Sequence, residues 1–458
     1  MKHLMIKHED TKTQRGENTK ARKGEGTKGR RYEKKSLCLC VFVFILICVA
    51  MPIHAQTKKE LTIEQCQQLA RENYPLIKQF GLIEQSKEMT ISNLVTAYFP
   101  KLSLTAIGGI MDGMPAVSMP GAPAETPDKK KLIGMAQLNQ VIWDGGAVGA
   151  QKRIVRNAAD VERANVEVSL YAIREQVNQL FFGILLIDEQ LKQLDILSDN
   201  LSRNLGKAEV ARANGIAYQS DVDALKVEIL NTEQQRTELD AGKTAYLELL
   251  SLLIHKPLNN DVVLAKPVAD DIPQTIEIMR PELQLFEQQR NLYNAQNDAI
   301  TAQLMPKLGL MGFGVFMNPS VNLGAAKIDH ILMGGLSLSW NVGALYTQNN
   351  DRRKIKNSLM QVDVQQETFL FNTNLKLKQS NNDIIKSKKL LAKDDEIIRL
   401  RRNIKAAAES KYEHGVCTMT DLIREINAEH LANQNKSVHE IQYLMNVYNY
   451  RCKAGVTN

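Results

Sequence analysis

The chain is short of most things that build a catalytic or disulfide-stapled domain. Aromatics make up 5% of its 458 residues, and the only tryptophans are Trp143 and Trp340. A long chain this poor in rings, and rich in Gln, Asn, Leu and Ala, has the composition of long helices. Of six cysteines, Cys38, Cys40 and Cys48 fall in an apolar leader. The other three, Cys66, Cys417 and Cys452, are too scattered for a disulfide framework or a metal site. The eight histidines are equally dispersed; His430 and His439 lack a metal-binding spacing. Gly242-Lys243-Thr244 looks like the end of a phosphate-binding loop, but Thr237 stands where that loop needs its first glycine. No catalytic cluster is visible, so neither an enzyme nor a cofactor is expected. Charge of one sign is also missing from most of the chain. Residues 1–36 hold 12 Lys+Arg against 5 Asp+Glu, a net +7 that equals the charge of the whole chain. The remainder is near neutral, and the basic balance is no sign of nucleic-acid binding.

Long hydrophobic runs are absent too, apart from Leu37 to Ala50. That run is short for a membrane span. Preceded by a basic segment and followed by Met51-Pro52-Ile53-His54-Ala55-Gln56, it reads as a secretory signal peptide, so 1–55 is set apart as leader. With no other apolar run of spanning length, the chain can cross a membrane only with strands.

What is present is a duplication. Asn73-Tyr74-Pro75-Leu76 leads through a helical run to Phe99-Pro100-Lys101-Leu102, and Met279-Arg280-Pro281-Glu282 leads likewise to Met305-Pro306-Lys307-Leu308. Both prolines recur 206 residues on, since 281 − 75 and 306 − 100 agree. Trp143-Asp144-Gly145-Gly146 pairs with Trp340-Asn341-Val342-Gly343, and Gly215 to Val222 pairs with Gly415 to Leu422. The chain divides into a first repeat, 56–258, and a second, 259–458. Each carries short helices, two strands and a long helical hairpin, at 145–255 and 344–455. Such a plan suits a symmetric assembly better than one buried pocket.

The hairpins are legible from spacing. Leu170, Ile173, Val177, Leu180, Ile184, Ile187, Leu191 and Leu194 step by three and four, a heptad seam that packs along a partner helix. No proline interrupts Ala147 to Asn214 or Tyr346 to His414. Gly215 and Gly415 stand where each chain turns back. Shorter helices are expected at Thr62–Arg71, Pro75–Ala97, Thr275–Met279 and Pro281–Gln303, with both prolines in a first turn.

Four stretches break the helical period: Pro100–Met111, Lys131–Trp143, Pro306–Phe316 and Met333–Val342. Leu336, Leu338 and Trp340 alternate with Ser337, Ser339 and Asn341, at the length of a barrel strand. In the second stretch Gln137 and Asn139 share the nominal face of Trp143, so its phase is open. Met111–Lys130 and Met317–Leu332 read as long helix-free loops. Four strands cannot close a barrel; two copies would supply eight and three twelve. Trp143 and Trp340 suit a membrane interface, or plain packing at a strand end.

This combination resembles the TolC family of outer-membrane efflux proteins, over about Leu61 to Val456. The resemblance implies a mainly α fold with a membrane β-barrel part. Long coiled-coil hairpins in a tandem-duplicated protomer would carry four barrel strands per chain. Three chains would form a twelve-strand barrel and an α-helical periplasmic tunnel. It implies a homotrimer in the outer membrane, in contact with its lipid. It also implies a periplasmic adaptor and an inner-membrane pump as partners in efflux or type I secretion. Carried over residue by residue, Asp221 and Tyr412 match a closure network at the helix tips, and Asp421 matches an acidic ring. Cys417 stands where some members have Arg, and Arg424 where they have a second ring Asp. Gly215, Ile216, Gly415 and Val416 match the adaptor-contacting tips. Asp221 and Asp421 read equally well as helix N-caps. The competing functional classes are a coiled-coil envelope protein without a pore and a periplasmic enzyme, and the cargo stays open.

Overall fold

The computed structural model of the protein describes residues 60–110, 129–268, 277–323 and 326–456, all within one compact unit that begins at Glu60. The leader 1–55, nearly all of the 111–130 link and the start of the helix expected at Thr275 lie outside the described residues.

Helix α1 (Ile63–Asn73) opens on a capping box. Thr62 Oγ1 accepts from Gln65 N–H, and Gln65 Oε1 accepts from Thr62 N–H. Tyr74 is extended ahead of Pro75, as a residue before proline tends to be. A 3₁₀ turn at Pro75–Lys78 then leads into α2 (Gln79–Val95) and a second one at Thr96–Tyr98. Strands β1 (Lys101–Ile110) and β2 (Lys130–Trp143) precede the hairpin of α3 (Ala147–Ala213) and α4 (Gln219–Ile254). The plan repeats with α5 (Pro281–Gln303), β3 (Lys307–Leu323), β4 (Ala326–Ser339), α6 (Ala344–Glu413) and α7 (Met419–Ala454). At 67 and 70 residues, α3 and α6 are each about 100 Å long at ~1.5 Å per residue. Among the described residues, no helix is long and apolar enough to cross a membrane.

Two expectations are corrected. Residues 277–280 are not helical. Met279 N–H instead donates to Ala454 O (2.8 Å), so this segment is held against the end of α7 rather than bonding along itself. The stretch 317–332 is mostly strand: β3 runs on to Leu323 and β4 starts at Ala326, with Val321–Ile328 and Asn322–Lys327 in register. The alternation there was masked by Asn318-Pro319-Ser320, beside which the register shifts between Phe316 and Val321.

The strands form one antiparallel sheet in the order β1-β2-β3-β4. Register puts Leu102, Leu138, Gly312 and Gly334 in one row, and Leu104, Ala136, Gly314 and Leu332 in the next. The opposite face mixes polar and apolar side chains within rows: Asn139 lies beside Met311, Ser103 and Gln137 share a row with Phe313 and Met333, and Thr105 lies beside Met135. The open phase of β2 is resolved by a bulge. Val141 pairs with Gly309 but Trp143 with Leu308, so Trp143 crosses to the apolar face while Gln137 and Asn139 stay opposite. Trp340 lies just beyond β4 rather than within it.

The helices pack as two long pairs with shorter partners added. Both α2 and α4 run along α3, both α5 and α7 run along α6, and α3 also meets α5 and α7. The expected α3 seam is buried at Leu170, Ile173, Val177, Ile184, Ile187 and Leu194, with Leu180 and Leu191 half-buried. The α6 seam differs. Thr373, Ser380, Ser387 and Asp394 are buried at seven-residue spacing, alternating with Leu377, Ile384 and Ile398. Across from them α7 supplies Lys453, Asn446 and His439, again seven apart. Lys453 Nζ donates to Ser380 Oγ (2.8 Å), Asn446 Nδ2 donates to Ser387 Oγ (3.2 Å), and His439 Nδ1 lies 2.8 Å from Asp394 Oδ2. Polar rungs at one heptad position tie the register of an antiparallel pair, because a slip would leave each group buried without a partner.

Candidate functional site

Two places concentrate the unusual chemistry, and both fall on the duplicated motifs. At the junction of sheet and helices, Asp144 is 6% exposed and caps α3. Its Oδ1 accepts from Gly146 N–H (2.9 Å) and its Oδ2 from Val148 N–H (2.5 Å). The Tyr98 hydroxyl, from the turn before β1, donates a third bond. Burial pushes this carboxyl up, but the Val148, Gly146 and Tyr98 donors outweigh it and hold Asp144 below the ordinary carboxylate value of 3.8. Gly145 (φ +69°) presses on the second copy of the Pro-Lys-Leu motif: a Cβ here would sit 2.4 Å from Met305 Cβ and 3.2 Å from Pro306 O. Trp340 Nε1 donates to Leu304 O (3.0 Å) in that same copy. The motifs that mark the duplication in sequence thus meet in space. The second repeat lacks the lock, since Asn341 replaces the aspartate and Gly343 has an ordinary helical φ of −59°.

A pH dependence follows for Asp144. A depressed folded-state pKa contributes stability that is present above the unfolded value and is lost as the pH falls through the folded value. Thermal melting followed at stepwise lower pH should show the wild type losing stability below about pH 4, and Asp144→Asn, already weaker at neutral pH, losing less over that range. Parallel pH profiles for the two proteins would rule Asp144 out as the titrating group.

The tips of the two hairpins are near-copies. Gly215 (φ +73°) and Gly415 (φ +72°) end their helices. Ile216 N–H reaches Ala211 O (2.9 Å), and Val416 N–H reaches Lys411 O (2.8 Å). Ile216 and Val416 stand out to solvent, at 79% and 72% exposure. The N-caps of the returning helices are Tyr218 and Thr418, not the aspartates. Asp221 and Asp421 are the third helical residues and reach back: each accepts at Oδ2 from the backbone N–H of its cap residue, at 3.2 Å. Asp421 also accepts from the Thr418 hydroxyl (2.7 Å), a hydroxyl whose place Tyr218 takes in the first repeat. The Thr418 hydroxyl and N–H, and then Arg424, hold the Asp421 carboxyl below its usual range.

Around the tips, the structure brings some expected partners together and not others. Tyr412 packs against the cluster of Val222, Leu225, Met419 and Leu422. Burial and the charge of Asp221 push its hydroxyl pKa up, but no hydrogen bond joins the two. Arg424 lies 3.4 Å from Asp421 and 3.3 Å from Glu425. Cys417 Sγ donates weakly to Ala408 O (3.5 Å). Two links escaped the sequence reading: Lys207–Glu413 (3.2 Å) ties one hairpin tip to the other, and Asn427 Nδ2 donates to Glu228 (2.7 Å). Neither carries a local signal, because each joins residues about 200 positions apart. Among the described residues, no cluster of His, Cys, Asp and Glu could hold a metal ion.

No family model matches the chain, and neither does any curated protein. Solved structures do. The outer-membrane channel OprN aligns over 86% of this chain and 90% of its own, at TM-score 0.62 and 15% identity. The CmeC outer membrane channel of Campylobacter jejuni aligns over 86% and 85%, at 0.60 and 13%. The MtrE channel of Neisseria gonorrhoeae, in its open state, aligns over 86% and 89%, at 0.61 and 14%. The chain has the TolC-like fold of these outer-membrane channels, a mainly helical protomer of long hairpins bearing four antiparallel strands.

Proposed function

We propose that three copies of this chain form a passive exit duct in the outer membrane. A twelve-strand barrel would span the lipid, and an α-helical tunnel would extend into the periplasm. The observation that carries the reading is the sheet itself. One face is apolar and open, with Leu104 74% and Leu332 82% exposed, and both β1 and β4 present unpaired edges. In lipid an unpaired edge is costly and four strands cannot close alone, so copies must complete the ring. The helices leave the same end of the sheet and continue the tube. Substrate would enter from an inner-membrane pump through a periplasmic adaptor seated on the tips, where Gly215, Ile216, Gly415 and Val416 offer two near-identical apolar knobs. The duct serves efflux or type I secretion and needs no cofactor of its own. Membrane fractionation tests this reading: a heat-modifiable oligomer in the outer membrane supports it, and a soluble periplasmic rod defeats it.

The gate belongs to the same proposal. Three-fold symmetry would bring three Asp421 side chains together at the narrow end, with Tyr412 and Asp221 packed behind them. Clustered carboxylates in a narrow mouth favour cations. Arg424, within pairing distance of Asp421, neutralises part of that field. Single-channel recording in a salt gradient should show a modest cation preference in the wild type, a smaller one in Asp421→Asn and a larger one in Arg424→Ala. Reversal potentials that neither substitution moves would take both residues off the constriction and leave Asp421 a helix-capping residue only.

A further inference from the structure

The two hairpins stand side by side in the order α4, α3, α7, α6, each helix in contact with the next. Helices α4 and α6 are therefore edges. On α4, Val222, Leu225, Leu247 and Leu250 are buried toward α3. The opposite side carries exposed Val227, Leu230, Leu249 and Leu252, together with exposed Asp223, Glu238 and Glu248. At ~100° per residue these seven share about 100° of arc, and no basic residue of α4 falls within it. The α6 edge has the converse charge. Away from α7 it presents exposed Leu375, Ile385, Leu400 and Ile404, interleaved with Lys378, Lys386, Lys389 and Lys393. The acidic residue among them, Glu396, is already held by Arg399 (2.6 Å). Among the described residues, Glu238, Glu248 and the four lysines find no ion-pair partner within the chain.

The edges also match in height. The Asn427–Glu228 bond joins residues 12 and 13 positions past Gly415 and Gly215, so the two tips lie level. Counted from those glycines, Val227 and Leu230 (12 and 15) correspond to Ile404 and Leu400 (11 and 15). Glu238 (23) falls between Lys393 and Lys389 (22 and 26), and Glu248 (33) between Lys386 and Lys378 (29 and 37). Leu249 and Leu252 (34 and 37) fall between Ile385 and Leu375 (30 and 40). At ~1.5 Å per residue the Glu238 offsets stay within about 5 Å, which a lysine side chain can span.

We propose that the acidic edge of α4 docks on the basic edge of α6 in a second copy of this chain, with Glu238 against Lys389 and Lys393 and Glu248 between Lys386 and Lys378. The inference rests on the duct reading, which supplies the neighbouring copies, and says which surfaces meet and in what register. Such a head-to-tail contact closes into a ring when each copy turns by the same angle. The apolar bands supply the burial. Exposed ion pairs add little affinity, but they set orientation, because α4 against α4 or α6 against α6 would put like charges together.

The test is cross-linking of the detergent-solubilised protein with a short bismaleimide. Glu238→Cys with Lys389→Cys in one chain should give covalent trimers on a denaturing gel. Asp240→Cys with Lys389→Cys, its first thiol off the exposed arc, sets the background together with wild type. Cross-linking no higher than background in a particle of trimeric mass would overturn this docking and leave the duct standing. A single-chain mass before cross-linking would overturn both. Glu238→Lys should lower the trimer fraction at low salt about fivefold, and adding Lys389→Glu and Lys393→Glu should restore it. A trimer fraction that Glu238→Lys leaves unchanged would overturn the charge pairing.

Discussion

Gly145→Ala should cost the protein most of its folded population. The residue sits at φ +69°, where an alanine is strained by roughly 1–2 kcal/mol. Its new Cβ would lie 2.4 Å from Met305 Cβ, an atom next to the main chain that cannot swing aside. The two repeats would have to part at the sheet–helix junction, at a total of about 3 kcal/mol or more. Gly146→Ala is the control. Its φ is +86°, but nothing lies within 4 Å of the added Cβ, so only the backbone strain applies. Outer-membrane abundance should drop about tenfold or more for Gly145→Ala and much less for Gly146→Ala. Equal losses would mean that the contact with the Met305–Pro306 turn is unimportant and that backbone conformation alone matters.

Phe182→Ala should be nearly as damaging, for a different reason. Phe182 is 1% exposed, with its ring edge-on to Phe181 (centroids 5.8 Å apart) and tilted against Tyr448 (5.5 Å). That cluster joins α1, α3 and α7, and the Tyr448 hydroxyl goes on to donate to Glu64 (3.1 Å). Truncating a buried Phe leaves a cavity in surroundings that relax only in part, costing about 3–5 kcal/mol. Chemical unfolding followed by helical circular dichroism should show this loss, whereas exposed Phe371→Ala should fall within about 0.5 kcal/mol of wild type. A loss below about 1 kcal/mol for Phe182→Ala would mean that the cluster collapses onto the gap or is not the core of that region.

The long helices were the most legible part of the chain. Absence of proline and a clean heptad from Leu170 to Leu194 delimit α3 to within a residue, and Gly215 and Gly415 mark both tips. The α6 seam was missed because half of its buried positions are Thr373, Ser380, Ser387 and Asp394, which look like surface in sequence. They become core only when Lys453, Asn446 and His439 arrive from a helix that runs the other way. The strands were found where Leu336, Leu338 and Ser337, Ser339 alternate. Their extent was missed where Asn318-Pro319-Ser320 interrupts, and their phase where a bulge at Ile142 flips Trp143. The candidate site was legible as motifs but not as roles. Asp144 and Gly145 appeared only as markers of duplication and Tyr98 not at all, because their partners lie in another part of the chain. Asp221 and Asp421 were placed in the right turn but three positions past the true N-caps, the extended Tyr218 and Thr418, to whose N–H groups they reach back.

In the proposed duct, the four strands of each chain are completed by copies of the same chain. The most direct measurement is the detergent-corrected mass of the purified protein, by light scattering or sedimentation. Three chains per particle are expected, stable to mild detergent and separating only on heating. A monodisperse single chain in the membrane-extracted fraction would contradict it, because one four-stranded sheet cannot satisfy its own edges in lipid.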